Sequence, residues 1–202
     1  MENVFLIAGL GNPGREYRGT RHNAGFMVAD RLGERWRSDW KTERRFEARV
    51  AQVRLGGSTV WLCQPLTFMN LSGRAVVAVL NYHRIPAGSL LVTVDDADLP
   101  LGSLRLRGEG SSGGHHGLES MEASLGTRGF ARQRIGIGRR PEGRREITDH
   151  VLGRFSDDEA AVLDQVLVRA ADQVECWLND GLKRAMDRYN GRLPELNSES
   201  ET

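Results

Sequence analysis

Val4-Phe5-Leu6-Ile7-Ala8, followed at once by Gly9-Leu10-Gly11-Asn12-Pro13-Gly14, decides the fold class of this chain. Five apolar residues bounded by a turn-forming cluster read as a strand buried on both faces, and α/β proteins open their sites at the carboxyl ends of such strands. The glycines match G-x-G-x-x-G, which first suggests a dinucleotide-binding turn. That fingerprint needs the helix to start inside the glycine run, so that its N-terminus meets the pyrophosphate. Here Pro13 and the polar stretch Arg15-Glu16-Tyr17-Arg18-Gly19 intervene. The spacing instead makes Thr20 the N-cap of a helix over 23–36 that carries Phe26, Met27, Ala29, Asp30 and Leu32. A nucleotide-dependent oxidoreductase would also want an acidic residue about twenty positions past the glycines, at a second strand's end. Asp30 is the nearest, and it falls inside the helix.

Thr20-Arg21-His22-Asn23, a few residues after the turn that holds Asn12, brings a histidine, two side-chain amides and several backbone N–H groups within reach of one point. In the first turn of a helix the macrodipole disfavours the imidazolium, which would keep His22 a usable base. A lone histidine more often caps or packs, and from this stretch alone that reading leads.

The chain has 202 residues and a formal net charge of +1. That length suits one domain with a sizeable core, expected over 1–190, followed by a polar, acidic and disordered tail over 191–202. No apolar run approaches the length of a bilayer span, and Met1-Glu2-Asn3 lacks the basic region of a secretory signal, so a cytoplasmic location is expected. Cys63 and Cys176 lie far apart and form no C-x-x-C, so they read as buried small hydrophobes and not as a disulfide or zinc site. Charge is uneven: Leu101 to Arg145 has nine arginines against four glutamates, or +5, whereas Glu146 to the end has six basic and thirteen acidic residues, or −7. A basic face opposed by an acidic one is a footprint of nucleic-acid binding, and a solvated arginine-rich surface is the plain alternative.

Strands are predicted at 4–8, 48–55, 58–63, 90–94 and 133–138, with a β-hairpin turning at Gly56-Gly57. Helices are predicted at 23–36, 72–83, 116–125 and 157 to about 190, the last opened by a capping box from Ser156 to Glu159 and interrupted at Asp180-Gly181. Leu163, Val166, Leu167, Ala170, Val174, Trp177 and Leu178 recur at helical period and read as core. The pattern is that of a single-domain α/β/α sandwich with a mixed, mostly parallel twisted sheet.

Three further stretches carry chemistry. Gln64 to Gly73 joins a strand to a helix, and Asn70 there can donate to an oxyanion or simply cap the helix. Asp95-Asp96-Ala97-Asp98 ends an apolar strand; three carboxylates suggest magnesium, and one carboxylate orienting an imidazole fits equally well. Gly108 to Leu118 is a Gly/Ser loop ahead of a helix, able to offer N–H groups to anions or to move as a lid. His115-His116 within it has no third ligand at a diagnostic spacing, and His83 and His150 read as structural.

Taken in order, GLGNPGREYRGTRHNAGF, QPLTFMNLSG, DDADLPLGSLRLR, SSGGHHGLES, RQRIGIGRR and DHVLGRF resemble the bacterial-type peptidyl-tRNA hydrolases over nearly the whole chain. The resemblance implies hydrolysis of the ester between a peptidyl group and the 3′ ribose of tRNA, freeing tRNA for reuse after premature drop-off. It implies a catalytic set of His22 as base, Asp95 as its carboxylate, and Asn70 and Asn12 as the amides that hold substrate and intermediate. Tyr17, Asn23, Phe68, Met69, Asn70, His115 and His116 would meet the substrate, and Arg105, Arg107 and Arg134 the tRNA phosphates. No metal, cofactor, membrane or obligate protein partner is implied, and a monomer is expected. The sequence departs from the family after Gly-Gly-His, where His116 replaces the usual Asn. The rival reading is an RNA-binding relative without hydrolysis, as among chloroplast members that act in splicing; the intact set His22, Asp95, Asn12 and Asn70 argues against it.

Overall fold

The computed structural model describes residues 3–138 and 149–194. Arg139, Arg140, Arg144 and Arg145 of the basic stretch, and residues 195–202 of the expected tail, lie outside the described residues.

The elements run β1 (Val4–Gly9), α1 (Ala24–Arg35), β2 (Lys41–Glu43), β3 (Ala48–Leu55), β4 (Ser58–Pro65), α2 (Ser72–His83), β5 (Leu90–Asp96), β6 (Ser103–Arg107), α3 (His116–Leu125), β7 (Ala131–Gly136), α4 (Asp157–Asp180), α5 (Leu182–Tyr189) and β8 (Gly191–Arg192). All eight strands join one sheet in the order β2-β3-β4-β1-β5-β7-β6-β8. The centre, β4-β1-β5-β7, is parallel, while the pairings outside it on both sides are antiparallel. The expected mixed sheet is borne out, with its parallel character confined to the centre.

Helices cover both faces, which explains the unbroken apolar strands. Leu6 and Ala8 pack with Val76, Leu80, Leu118 and Met121 of α2 and α3. Ile7, between them, packs with Val28 and Leu32 of α1 and Val166, Ala170 and Val174 of α4. The hairpin joins β3 to β4 with Leu55 opposite Ser58, and the capping box of Ser156 and Glu159 is present. Both cysteines are free and buried, and burial pushes the Cys63 thiol up to about 12. Among the described residues no helix is long and apolar enough to cross a membrane.

Two local expectations are corrected. Thr20 does not cap α1: its hydroxyl donates to the Tyr17 carbonyl (2.8 Å), a 3-10 turn over Arg21–Asn23 follows, and the helix starts at Ala24. The tail does not begin at 191, because Gly191–Arg192 pairs with β6 and Leu193 is buried. The glycine run serves packing: a Cβ on Gly9 would strike the Gly25 carbonyl, and one on Gly11 the Phe26 ring. A Cβ on Gly25 would strike the Thr93 carbonyl and the Leu10 backbone, so glycine there lets α1 begin directly against the ends of β1 and β5.

A buried polar chain ties the central sheet to α4 and α5. Thr93 Oγ1 donates to Gln133 Oε1 (3.0 Å), Gln133 Nε2 to Gln173 Oε1 (3.0 Å) and the Ala170 carbonyl (2.9 Å), and Gln173 Nε2 to Asn190 Oδ1 (3.1 Å). Asn190 pairs in turn with the backbone of Leu106. Such a network favours one arrangement only while every member is satisfied. Gln133→Leu should therefore lower the unfolding free energy by about 2–4 kcal/mol, because each orphaned buried partner costs about 1–3 kcal/mol. Urea midpoints read this, and an unchanged midpoint would show that the chain carries no stability.

Candidate active site

The site forms where β1 and β5 end and α1 and α3 begin. Leu10 N–H donates to the Thr93 carbonyl (3.0 Å), drawing the glycine turn onto β5. At the last turns of β5 the chain buries a carboxylate: the Asp95 side chain is 3% exposed. A buried charge must be paired and hydrogen-bonded. Two imidazoles do this on one oxygen: His22 Nδ1 lies 2.9 Å and His115 Nε2 3.0 Å from Asp95 Oδ1. The two rings stand 5.2 Å apart between centroids.

An ionised carboxylate only accepts, so both facing nitrogens carry protons. For His115 the assignment is independent, because its Nδ1 caps α3 by accepting from the N–H groups of Gly117 (3.1 Å) and Leu118 (3.4 Å). For His22 it leaves Nε2 with the lone pair, at a side chain 13% exposed. Burial alone would raise the Asp95 carboxyl; the two imidazoles outweigh it and hold it well below the usual carboxylate range. These three groups are also the one set among the described residues close enough to ligate a cation. With its Nε2 proton fixed by α3, His115 faces Asp95 as a donor and not as a ligand.

Each histidine sits on a braced segment. Arg21, beside His22, donates to the Arg154 carbonyl (2.8 Å) and to Glu159 (2.7 Å), lies over the Phe155 ring, and offers its N–H to the Gly153 carbonyl. The motif around residues 149–155 therefore serves to hold the turn that carries His22. Asn23 grips the Asn12 backbone from both sides, its Oδ1 accepting from Asn12 N (2.9 Å) and its Nδ2 donating to Asn12 O (3.0 Å). Asn12 Oδ1 accepts from Met69 N–H (2.8 Å), which aims its amide N–H groups away from that bond. Asn23 is thus a brace inside the fold.

Asn70 is exposed in the 3-10 turn Met69–Leu71, and α2 starts from Leu71 without a side-chain cap, so Asn70 is not a capping residue. Tyr17 stands edge-on to Phe68, which is 56% exposed, while Met69 is buried with its sulfur over Gly117. A Cβ on Gly117 would meet that sulfur, Leu10 and the His115 ring. His116 turns away from its neighbour: it is 74% exposed and pairs with Glu119 (3.0 Å) on its own helix. The acidic triplet diverges, since Asp96 Oδ2 takes Arg134 (3.1 Å) and its Oδ1 the Asp98 N–H (2.8 Å).

Arginines 105 and 107 of β6 lie opposite Arg134 and Arg132 of β7, four arginines forming a two-rung ladder on one face. Arg105 and Arg107 are exposed and have no hydrogen-bond or ion-pair partner among the described residues. Arg132 is fully buried, bonded to Glu122 and to the carbonyls of Gly110, Ser111 and Arg128. The link of His115 to Asp95 and the bracing roles of Arg21, Arg132 and Asp96 were not read from the sequence; a histidine just ahead of Gly117-Leu118 at a helix start was the available signal.

A sequence profile of the family described as peptidyl-tRNA hydrolase matches residues 6–198. A peptidyl-tRNA hydrolase of Geobacillus kaustophilus is 50% identical over 154 residues, 76% of this chain and 82% of that protein. One from Chloroflexus aurantiacus is 49% identical over 188 residues, covering 93% and 99%. The crystal structure of peptidyl-tRNA hydrolase from Acinetobacter baumannii superposes with a TM-score of 0.90 at 34% identity, covering 96% of this chain and 98% of that one.

The depressed Asp95 carboxyl makes a testable contribution to stability. Below about pH 4, the unfolded carboxyl range, the native state binds fewer protons than the unfolded one, so stability rises with pH there. The contribution is present above that range and is lost as pH falls toward the folded value. Urea midpoints measured from about pH 2 to about pH 7 should fall more steeply on the acid side for wild type than for Asp95→Asn. Parallel profiles would contradict it.

Proposed function

This chain belongs to the peptidyl-tRNA hydrolase family, hydrolysing the ester that joins the peptidyl group to tRNA, and from that premise we propose a mechanism with His22 as general base. The observation that carries it is the shared Asp95 oxygen, which commits the Nδ1 proton of His22 and leaves Nε2 to take a proton from water. That water attacks the ester carbonyl. The Asn12 and Asn70 amides stabilise the tetrahedral oxyanion, the ribose oxygen leaves, and His22 returns the proton. Asp95 stabilises the transient imidazolium without taking its proton. Tyr17, Phe68 and Met69 line the path of the peptidyl group, and Arg105 and Arg107 meet tRNA phosphates, so binding weakens with salt. Neither a metal nor a covalent intermediate is needed, because an ester is already activated relative to an amide. The protein works as a cytoplasmic monomer that returns dropped-off tRNA to translation.

His116 in place of Asn weakens the grip on substrate, since an imidazole held by Glu119 cannot offer donor and acceptor together as an amide does. Initial rates across pH should show a lower KM for His116→Asn; rates unchanged at every pH would remove His116 from the path of the substrate.

Release of free tRNA from an N-blocked aminoacyl-tRNA, with EDTA present, tests the mechanism. Wild type should turn over, and His22→Ala should lose about 10²–10⁴-fold in kcat. Tight tRNA binding with the ester left intact would favour the RNA-binding alternative.

A further inference from the structure

The residues that follow α5 form an ordered edge to the sheet, where the sequence places the start of a tail. Asn190 donates to the Leu106 carbonyl (3.1 Å) and accepts the Leu106 N–H (2.7 Å), as a strand partner would. Gly191 then takes a φ of +107°, a conformation that favours glycine, and the chain turns back along β6. Leu193 closes the segment: its N–H donates to the Gly102 carbonyl (2.8 Å), and its side chain is buried in the cluster that holds Leu104 and Leu106. Arg192 is therefore held between two anchored neighbours.

Strand alternation sends its side chain to the other face from Leu193. Arg192 lies opposite Ser103, and Gly191 opposite Leu104. Residues directly opposite in an antiparallel pair share a face, and so do residues two apart on one strand. Arg192 thus shares the face of Arg105 and Arg107, with Arg105 its diagonal neighbour at about 7–8 Å. It is exposed and has no hydrogen-bond or ion-pair partner among the described residues. Asp96 and Glu122 are already engaged, by Arg134 and by Arg128 and Arg132. Arg105, Arg107 and Arg192 repel one another, a cost that a bound polyanion relieves. Register also relates this residue to the buried carboxylate. Asp95 lies opposite Ile135, Ile135 opposite Leu104, and Leu104 opposite Gly191, one continuous rung across four strands. Gly191 is three strand spacings from Asp95, about 14 Å. Arg105 lies one residue and Arg107 three residues from that rung on the side away from the site, and Arg192 one residue from it on the side toward the carboxyl ends of β5 and β7.

We propose that Arg192 is a further phosphate contact for the tRNA substrate: β8 extends the arginine face of β6 by one strand and carries it along the sheet edge toward the ester. The proposal rests on the reading of Arg105 and Arg107 as phosphate contacts. Because the backbone on both sides of Arg192 is already fixed, binding a phosphate orders only its side chain.

The test measures initial rates on N-blocked aminoacyl-tRNA at several salt concentrations for wild type, Arg192→Gln, Arg192→Lys, Arg105→Gln and the variant carrying both Gln substitutions. Arg54→Gln, which removes one exposed charge from β3 across the sheet, is the control for net charge. A phosphate contact predicts that Arg192→Gln raises KM and flattens the slope of log KM against log salt by about one unit, and that the double variant flattens it by about two. Arg192→Lys keeps the charge and should keep the slope. If Arg192→Gln keeps the wild-type slope while Arg105→Gln flattens it, Arg192 is a solvated edge charge and the proposal is overturned. Equal flattening by Arg54→Gln overturns it too, since the effect would then belong to net charge and not to position. An unchanged slope for Arg105→Gln would instead remove the reading of the β6 arginines, and the Arg192 variants would still decide the proposal, each being compared with wild type directly. Where the Gln variant does not fold, Arg192→Ser carries the same expectation.

Discussion

A carboxylate buried at the end of a wholly apolar strand is the constraint on which the rest of this structure depends. Asp95 sits where β5 leaves the sheet centre, and a charge there is tolerable only with hydrogen-bonding partners. Its two partners come from segments remote in sequence, the 3-10 turn holding His22 and the start of α3 holding His115. Satisfying one oxygen therefore draws the ends of β1 and β5 and the starts of α1 and α3 to a single point. What burial demands for stability also leaves one imidazole nitrogen lone pair directed away from the protein's own acceptor, which is the requirement of a base.

Charge is distributed to hold this arrangement more than to project a field. Part of the acidic C-terminal stretch is matched inside the molecule: Glu159 meets Arg21, Asp164 meets Arg31, and Asp172 and Glu175 meet Arg35, so α4 faces α1 and the turn before it through opposite charges. Pairs this exposed contribute little stability individually. Their effect on the charge pattern is larger, because these three arginines offset three of the seven net negative charges of the C-terminal stretch. The basic stretch divides similarly, with Arg128 and Arg132 on Glu122 and Arg134 on Asp96. Counting charges along the chain could not separate arginines that brace from arginines that face solvent.

Legibility followed the range of each interaction. The buried strands, the Gly56-Gly57 hairpin, the Ser156 capping box and the stripe of α4 are set by neighbours within a few residues, and all were readable. The two edge strands and their inner neighbour β6 were not. β2 and β8 are three and two residues long, and β6 alternates Leu104 and Leu106 with arginines, so their pairing is decided by distant partners. Thr20 misled because its hydroxyl can donate to the preceding turn as readily as accept from a helix, and it does the former. His22, Asp95, Asn12 and Asn70 were legible as residues through the resemblance. The pairing of His115 with the same Asp95 oxygen was not, since it spans twenty positions and depends on how the 110–114 loop folds back.

The arginine ladder shows why position on the sheet, and not residue type, sorts these side chains. For an incoming phosphate to take Arg134, the guanidinium would have to release Asp96 and two backbone carbonyls. The exchange would leave a side chain 8% exposed without its cation, and would take one of two donors from each carbonyl. Breaking a buried pair costs about 3–5 kcal/mol where no new partner replaces the lost one. Arg105 and Arg107, one strand further out, face no such competition. The sheet thus holds one residue type in two states, with solvated guanidiniums on β6 and, on β7, guanidiniums already paired with carbonyls and carboxylates.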